Sequence, residues 1–276
     1  MILSTQQLYT MQKFSKTILL IFLFSISAIS HEFWIEASSF KIKVGQLINL
    51  SFFAGENFRG EPTDFSKFQV QGLWHFNKGF RTNLYRGNLN ETTINQFLKF
   101  DDEGTHLVAL SNSNKFIALD ANKFNEYLLE DGMEDIYNYR KQNNLLDSSS
   151  REFYQRCAKT LIQVGDKTTD TFKRNSGMKL EIIPKNNPYA TSNNKHITFK
   201  ILFNNKPLRN KLIMVWHKKQ NDKTEILRLK SNQLGEVDFI LENKGSWMVS
   251  TVQMINIKSK IAQYQSYWGS FTFGFD

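Results

Sequence analysis

The chain has 276 residues, a formal net charge of +9 and one cysteine, and 41% of its residues are hydrophobic. This apolar content, with only four prolines, argues against a disordered chain, and a single cysteine excludes an internal disulfide. The basic residues are scattered and form no stripe interleaved with aromatic residues, which argues against nucleic acid as a partner.

Residues 1–30 have the pattern of a signal peptide. Two lysines provide a basic start, the stretch from Thr17 to Ile29 carries no charge, and Ala28-Ile29-Ser30 is a small-x-small cleavage site. Cleavage after Ser30 leaves His31 as the first residue of the mature chain. We therefore expect a periplasmic or secreted protein that begins at His31.

A histidine at the mature N-terminus can act as a metal chelator. Its free α-amine and its imidazole Nδ1 can close a ring on a divalent ion, and imidazole suits copper, nickel and zinc. The alternative is that cleavage falls before a histidine by chance. A single bidentate residue binds loosely, so a functional site needs further ligands from other strands.

The region 31–165 is predicted to be a β-rich domain with a helical segment at about 120–165. Alternation of apolar and polar residues predicts strands at 40–44, 47–53, 68–75, 92–100, 105–110 and 115–119. The apolar period then becomes helical. It predicts helices from the capping residue Asp120 to Gly132, over 133–143, and from Ser148 with Phe153, Cys157 and Leu161 on one face.

Residues 166–178 show little periodicity and are the predicted linker. The region 179–276 contains about seven short strands, which is typical of a small immunoglobulin-like or transthyretin-like sandwich. The predicted fold is therefore mostly β, an N-terminal β-rich domain with a small helical insert followed by this C-terminal β-sandwich. Its predicted core consists of alternating strand residues: Phe199, Ile201, Val215, Phe239, Trp247 and Val249, joined by Phe271 and Phe273.

Short motifs spread over nearly the whole mature chain carry a resemblance to a known family. They include His31-Glu-Phe-Trp-Ile-Glu36, Gly55-Glu-Asn-Phe-Arg-Gly60-Glu, Gly104-Thr-His-Leu-Val-Ala109, the segment Lys123 to Gly132, and Trp268-Gly-Ser-Phe-Thr-Phe273. Together they resemble the exported domain-of-unknown-function family formerly described as a substrate-specific (transmembrane region) component of nickel uptake. The resemblance implies a periplasmic or cell-surface β protein associated with transition-metal uptake.

One motif departs from that family, which often has Val-His-Met where this chain has Val252-Gln253-Met254. If the family histidine is a metal ligand, this chain has lost it.

The predicted metal ligands are His31, His106, His75 and Glu32. His106 lies in a motif shared with the family, although a hydrogen-bonded strand histidine is the alternative. His75 could face the same end of the first sheet, with simple packing as the alternative. Glu32 could supply an oxygen ligand or accept a hydrogen bond from an imidazole N–H, and its alternative is an exposed, solvated carboxylate.

The sequence contains none of the common enzyme motifs, such as a nucleophile elbow, a Walker loop, a dinucleotide glycine pattern or His-Glu-x-x-His. The acidic pairs Asp101-Asp102 and Glu130-Asp131 are expected to cap or solubilise. The predicted function is therefore not enzymatic. It is binding of a transition-metal ion, copper or nickel/cobalt, in support of its uptake or handling in the envelope.

The expected protein partner is a membrane transporter or an outer-membrane receptor. Two alternatives remain open. One is a metal-free interaction module of the envelope, and the other is an oxygenase in which copper is held by a histidine brace.

Overall fold

The computed structural model describes residues 32–63, 70–84, 95–190 and 195–275. The predicted signal peptide, its cleavage site and His31 lie outside these residues, as does the first part of the strand predicted at 92–100. The described strands are β1 (Glu32–Ala37), β2 (Lys41–Ile42), β3 (Leu47–Glu56), β4 (Arg59–Pro62), β5 (Val70–Asn77), β6 (Phe80–Asn83), β7 (Asn95–Lys99), β8 (Gly104–Asn112), β9 (Lys115–Leu119), β10 (Ser150–Val164), β11 (Leu180–Pro184), β12 (Lys195–Phe203), β13 (Lys206–Pro207), β14 (Leu212–Lys218), β15 (Thr224–Lys230), β16 (Glu236–Leu241), β17 (Gly245–Asn256) and β18 (Tyr264–Phe275). The α-helices are α1 (Ala121–Glu130) and α2 (Glu134–Gln142), and short 3-10 helices cover Asp170–Lys173 and Pro188–Ala190.

The described strands form three sheets. In the first, β3 pairs antiparallel with β1, β4 and β7. The second contains ten strands: it has the order β15-β14-β17-β18-β10-β8-β5-β6, and β2 and β9 also pair with β10. The third is built on β12, which pairs with β11, β13 and β16. The parallel pair β10–β18 joins two parts of the chain that are far apart in sequence.

The ten-stranded sheet lies between the other two, as alternate residues of β18 show. Phe271 and Phe273 pack in one core with Phe199 of β12, whereas the hydroxyl of Thr272 donates a hydrogen bond to the carbonyl of Ile35 in β1. Successive strand residues point to opposite faces, so these contacts define a β12 face and a β1 face of the sheet. A second core fills the β1 face between β1, β3, β8 and β10. The predicted fold class, mostly β with a sandwich, is confirmed.

The two α-helices pack on the β1 face, next to the first sheet. Phe124, Tyr127 and Leu128 of α1 form a core cluster with Val252 and Met254 of β17. Asp120 is the N-cap of α1 as predicted, but its side chain makes no capping hydrogen bond. No helix in the described residues is long and apolar enough to cross a membrane.

The third helix predicted from Ser148 is wrong, because residues Ser150–Val164 form the long strand β10. Phe153, Cys157 and Leu161 do recur at helical spacing. However, β10 is buried on both faces from Cys157 onward, since it lies in the central layer. A strand buried on both sides loses its two-residue alternation, and its apolar run then cannot be told from a buried helix by periodicity.

The segment 166–178 packs as part of the core rather than as a free linker. Phe172 and Met178 belong to the larger core cluster. A buried ion pair, with Lys159 Nζ 2.5 Å from Glu181 Oε2, connects β10 to β11 across this segment. The other oxygen of Glu181 accepts hydrogen bonds from the backbone of Ser176 and Met178. Polar contacts of this kind replace the hydrophobic period that the sequence lacks here.

The predicted core of the C-terminal sandwich is confirmed. Every predicted member is buried in a single cluster between the β12 face of the central sheet and the third sheet: Phe199, Ile201, Val215, Phe239, Trp247, Val249, Phe271 and Phe273.

Candidate metal site

A small pocket lies on the β1 face where the first sheet meets the helices. Its cavity volume is about 20 Å³, enough for one water molecule or one ion. Strands β1, β14, β17 and β18 and the end of α1 contribute its lining: Glu32, Phe33, Asp131, Leu212, Met214, Ser250, Thr251, Val252, Trp268, Gly269 and Ser270. The predicted ligand Glu32 is thus a pocket residue rather than a solvated surface carboxylate.

Glu32 brings a perturbed carboxyl group to this pocket. It is the first residue of β1 and is half-buried. Burial raises the pKa of Glu32 to about 7, and the nearby carboxylates of Asp131 and Glu56 act in the same direction, while the Arg156 guanidinium opposes them. A carboxyl group with this pKa exchanges its proton near neutral pH, and a cation in the pocket would favour the ionised form.

Asp131 provides the second carboxyl group. It is the C-cap of α1, and its backbone N–H bonds to the carbonyls of Leu129 and Tyr127. The C-terminus of a helix carries partial negative charge, which disfavours a carboxylate there, and the nearby Lys211 ammonium interacts favourably with Asp131. The expectation that Asp131 only caps or solubilises is therefore incomplete, because the residue also lines the pocket.

Ser270 adds a buried hydroxyl with open hydrogen-bonding capacity. The residue is 2% exposed, and its Oγ has no hydrogen-bond partner within the described structure. The neighbouring hydroxyls are used: Trp216 Nε1 donates to Ser250 Oγ at 2.8 Å, and Thr251 Oγ1 donates to the Leu212 carbonyl at 2.7 Å. Buried polar atoms are normally satisfied, so Ser270 Oγ is a hydrogen-bonding group available to a water or an ion in the pocket.

A hydrogen-bonded network supports the pocket wall at Trp268. The indole Nε1 donates to Ser266 Oγ at 3.1 Å, and the ring stacks on Tyr127 with centroids 5.9 Å apart. Ser266 Oγ and the Tyr127 hydroxyl both donate to Glu152 Oε1. Glu152 is 2% exposed, and burial raises its pKa to about 7, while the hydrogen bonds from Ser266 and Tyr127 oppose that shift.

His75 and His106 are brought together as the sequence suggested, but they bond to each other. His75 Nε2 and His106 Nδ1 are 2.8 Å apart, and the ring centroids are 5.0 Å apart with an interplanar angle of 6°. The two nitrogens therefore lie between the rings, close to the line that joins the ring centres. Nitrogens that point at each other share a hydrogen bond, whereas nitrogens that ligate one ion converge on a point off that line.

The tautomers of the His75–His106 pair follow from the contact that His106 makes through its second ring nitrogen. His106 Nε2 lies 3.0 Å from the carbonyl oxygen of Asp102, which can only accept, so Nε2 carries the proton. His106 Nδ1 then accepts from His75 Nε2–H. Burial lowers the pKa of both imidazoles, that of His75 to about 4, and keeps the pair neutral. The nitrogen that remains for a ligand is His75 Nδ1.

The predicted ligands thus fall in two places. Glu32 faces Asp131 and Glu56, whereas the charged groups that act on His106 are Asp102 and Lys78. Across the described ranges, no three His, Cys, Asp or Glu side chains are placed to hold one metal ion. The residue that precedes Glu32 in the sequence, His31, lies outside those ranges.

Gln253, which stands where the family often has a histidine, does not line this pocket. Along β17, Ser250 and Val252 lie on the β1 face, while Trp247 and Val249 lie in the core of the β12 face. The register of β17 with β18 is continuous, so Gln253 belongs to the β12 face.

Sequence reasoning did not find Asp131, Met214, Trp268 and Ser270 as pocket residues. Asp131 lies in the motif Lys123 to Gly132, and Trp268 and Ser270 lie in the motif at 268–273, so shared motifs were the available signal. Nothing in the local pattern of Met214 distinguishes it from an ordinary strand residue.

The chain belongs to the family described as Domain of unknown function (DUF4198), which matches residues 28–255. No curated protein shows a significant match. Among solved structures, the chain is similar to the "D0-D1 domain of Intimin", with 14% identity over 88% of this chain and 97% of that chain, at a TM-score of 0.19. That TM-score is too low to establish a common fold.

Proposed function

We propose that this protein is an exported, non-enzymatic transition-metal-binding protein that supports uptake or handling of nickel, cobalt or copper in the cell envelope. The metal ion is its cargo. It is held in the pocket of Glu32 and Asp131 and completed by the α-amine and imidazole of His31 once the signal peptide is removed.

The observation that carries this proposal is the composition of the pocket. Two carboxyl groups, Glu32 and Asp131, line an ion-sized cavity together with Ser270, whose hydroxyl has no partner in the described structure. In the sequence, only His31 separates Glu32 from the predicted cleavage site. Carboxylate oxygens and imidazole nitrogens are ligands for divalent transition metals. The lining contains no histidine, so nothing among the described pocket residues favours the alternative of a two-histidine copper brace.

The test is calorimetric titration of the processed protein with Cu²⁺, Ni²⁺ and Co²⁺, in wild type and in the variants Glu32→Gln and Asp131→Asn. Each variant removes one anionic ligand with little change in volume. We expect each to weaken binding at least tenfold, about 1.4 kcal/mol.

The matched control is Asp166→Asn, which removes an exposed carboxylate outside the pocket. It should leave the affinity unchanged. No binding of any of the three ions, or equal affinity in the pocket variants and the control, would overturn the proposal and favour a metal-free interaction module.

A further inference from the structure

The pocket contains soft groups beside its carboxylates. Met214 and Trp268 line the same cavity as Glu32 and Asp131, although they lie far from Glu32 in the sequence. Nickel and cobalt have no need of a thioether or an indole, whereas thioether sulfur is a preferred ligand of Cu(I). The identity of these two lining residues therefore bears on which ion the pocket takes.

Met214 reaches the pocket from β14, where it pairs with Ser250 of β17. It is half-buried and packs against an apolar cluster of Trp34, Phe58, Trp216 and Met248. The cluster excludes water from one side of the Met214 side chain. A thioether held between a dry cluster and an anionic cavity is a suitable donor for a soft cation, since it carries no proton to displace.

The indole of Trp268 is fixed in orientation. Its Nε1 donates to Ser266 Oγ, and one face of its ring stacks on Tyr127. Trp268 also lines the pocket. Trp is the best aromatic partner for a cation, and a cation–π contact strengthens as water is removed from it.

The position of the chain's thiol decides which soft donor is available at the pocket. The chain's one cysteine, Cys157, is buried in the core on the β12 face, and burial raises the pKa of its thiol to about 12. A thiolate is therefore not available, and the soft donor next to the pocket is the Met214 thioether.

We infer that the pocket takes copper in its monovalent form, Cu(I), with the Met214 thioether as a ligand and the Trp268 indole against the ion. This inference rests on the proposed function and narrows it from three metals to one.

The test compares Ag⁺, a redox-inert soft monovalent ion, with Ni²⁺ on the processed protein. Met214→Leu removes the sulfur and keeps the volume, and Met248→Leu is the matched control in the same apolar cluster but outside the pocket lining. We expect Met214→Leu to weaken Ag⁺ binding at least tenfold and to change Ni²⁺ binding less than twofold. Met248→Leu should change neither.

A spectroscopic readout keeps the test independent of affinity. In protein labelled with ¹³C at the methionine methyl groups, the Met214 signal should shift on addition of diamagnetic Ag⁺, whereas the Met248 signal should stay in place. If Ni²⁺ binds but Ag⁺ does not, the copper inference fails and the proposed function stands. The same holds if Ag⁺ leaves the Met214 signal in place, or if Met214→Leu binds Ag⁺ as tightly as wild type. If neither Ag⁺ nor any of Cu²⁺, Ni²⁺ and Co²⁺ binds wild-type protein, both the inference and the proposed function fail.

Discussion

At the scale of single residues, two carboxyl groups with perturbed pKa values stand out, one half-buried and one buried. Glu32 in the pocket and Glu152 behind its wall both have a pKa raised to about 7, mainly by burial, and Asp131 adds to both shifts. Each of these groups binds a proton in the folded chain over a pH range in which the unfolded chain has released it. On the β1 face, acid–base equilibria and stability are therefore coupled.

The first residue-scale prediction concerns Glu152. Its folded pKa lies above its ordinary value of 4.5, so the folded state holds more protons than the unfolded state between pH 4.5 and about 7. Stability must then fall as pH rises through that window. Glu152→Gln stays neutral and keeps an oxygen to accept from Ser266 and Tyr127. Relative to wild type, the variant should gain on the order of 2 kcal/mol between pH 5 and pH 8.

Urea unfolding at several pH values measures this difference. Glu126→Gln, at an exposed position of α1, is the control and should run parallel to wild type. A Glu152→Gln curve that also runs parallel to wild type would show that Glu152 ionises at an ordinary pH.

At the scale of elements, the C-terminal strands behave as their alternation indicates. Trp247 at the start of β17 is 4% exposed and lies between Phe239 and Phe273. Its ring also stacks on His217 with centroids 3.9 Å apart, and its Nε1 donates to the backbone carbonyls of Glu242 and Lys244. The ring closes one end of the sandwich core.

Trp247→Ala is accordingly expected to cost roughly 3–5 kcal/mol of unfolding free energy, the usual loss for truncation of a buried aromatic. Denaturant unfolding checks the value. Ile240→Ala, at a position 58% exposed on β16, should stay within about 0.5 kcal/mol of wild type. A loss of less than about 1 kcal/mol for Trp247→Ala would mean that the ring lies on a surface.

Periodicity predicted elements well where one face of a strand meets a core, and poorly elsewhere. The strands of the sandwich and α1 follow from local pattern alone. The strand β10 does not, because both of its faces are buried and its polar residues, such as Lys159, find partners that only the tertiary fold supplies. A local pattern contains no information about those partners.

Some residues of the candidate site could be predicted from the sequence, and others could not. Glu32 could be proposed from its position after His31, and the approach of His75 to His106 from their places on the first strands. Asp131 and Ser270 reach Glu32 only because α1 and β18 pack beside β1. Their contacts span long stretches of sequence, so no motif predicts them.

At the scale of the whole molecule, three β layers position the pocket. The first sheet and the helices share the β1 face of the ten-stranded sheet, and the pocket lies at their junction. The strand β1 begins at this junction with Glu32, which lines the pocket together with Asp131, and His31 precedes Glu32 in the sequence. Under the proposed function, removal of the signal peptide frees the α-amine of His31 and so completes the metal site.

The most direct measurement compares two forms of the mature protein by calorimetric titration with Cu²⁺. One form begins at His31, as verified by mass spectrometry, and the other carries a single extra glycine before His31. The glycine moves the free α-amine away from the imidazole and from Glu32 while it leaves every described residue unchanged. We expect the extended form to bind Cu²⁺ at least tenfold more weakly, about 1.4 kcal/mol, and the form that begins at His31 to prefer Cu²⁺ over Ni²⁺ and Co²⁺. Equal affinity of the two forms would contradict the central claim that processing creates the site.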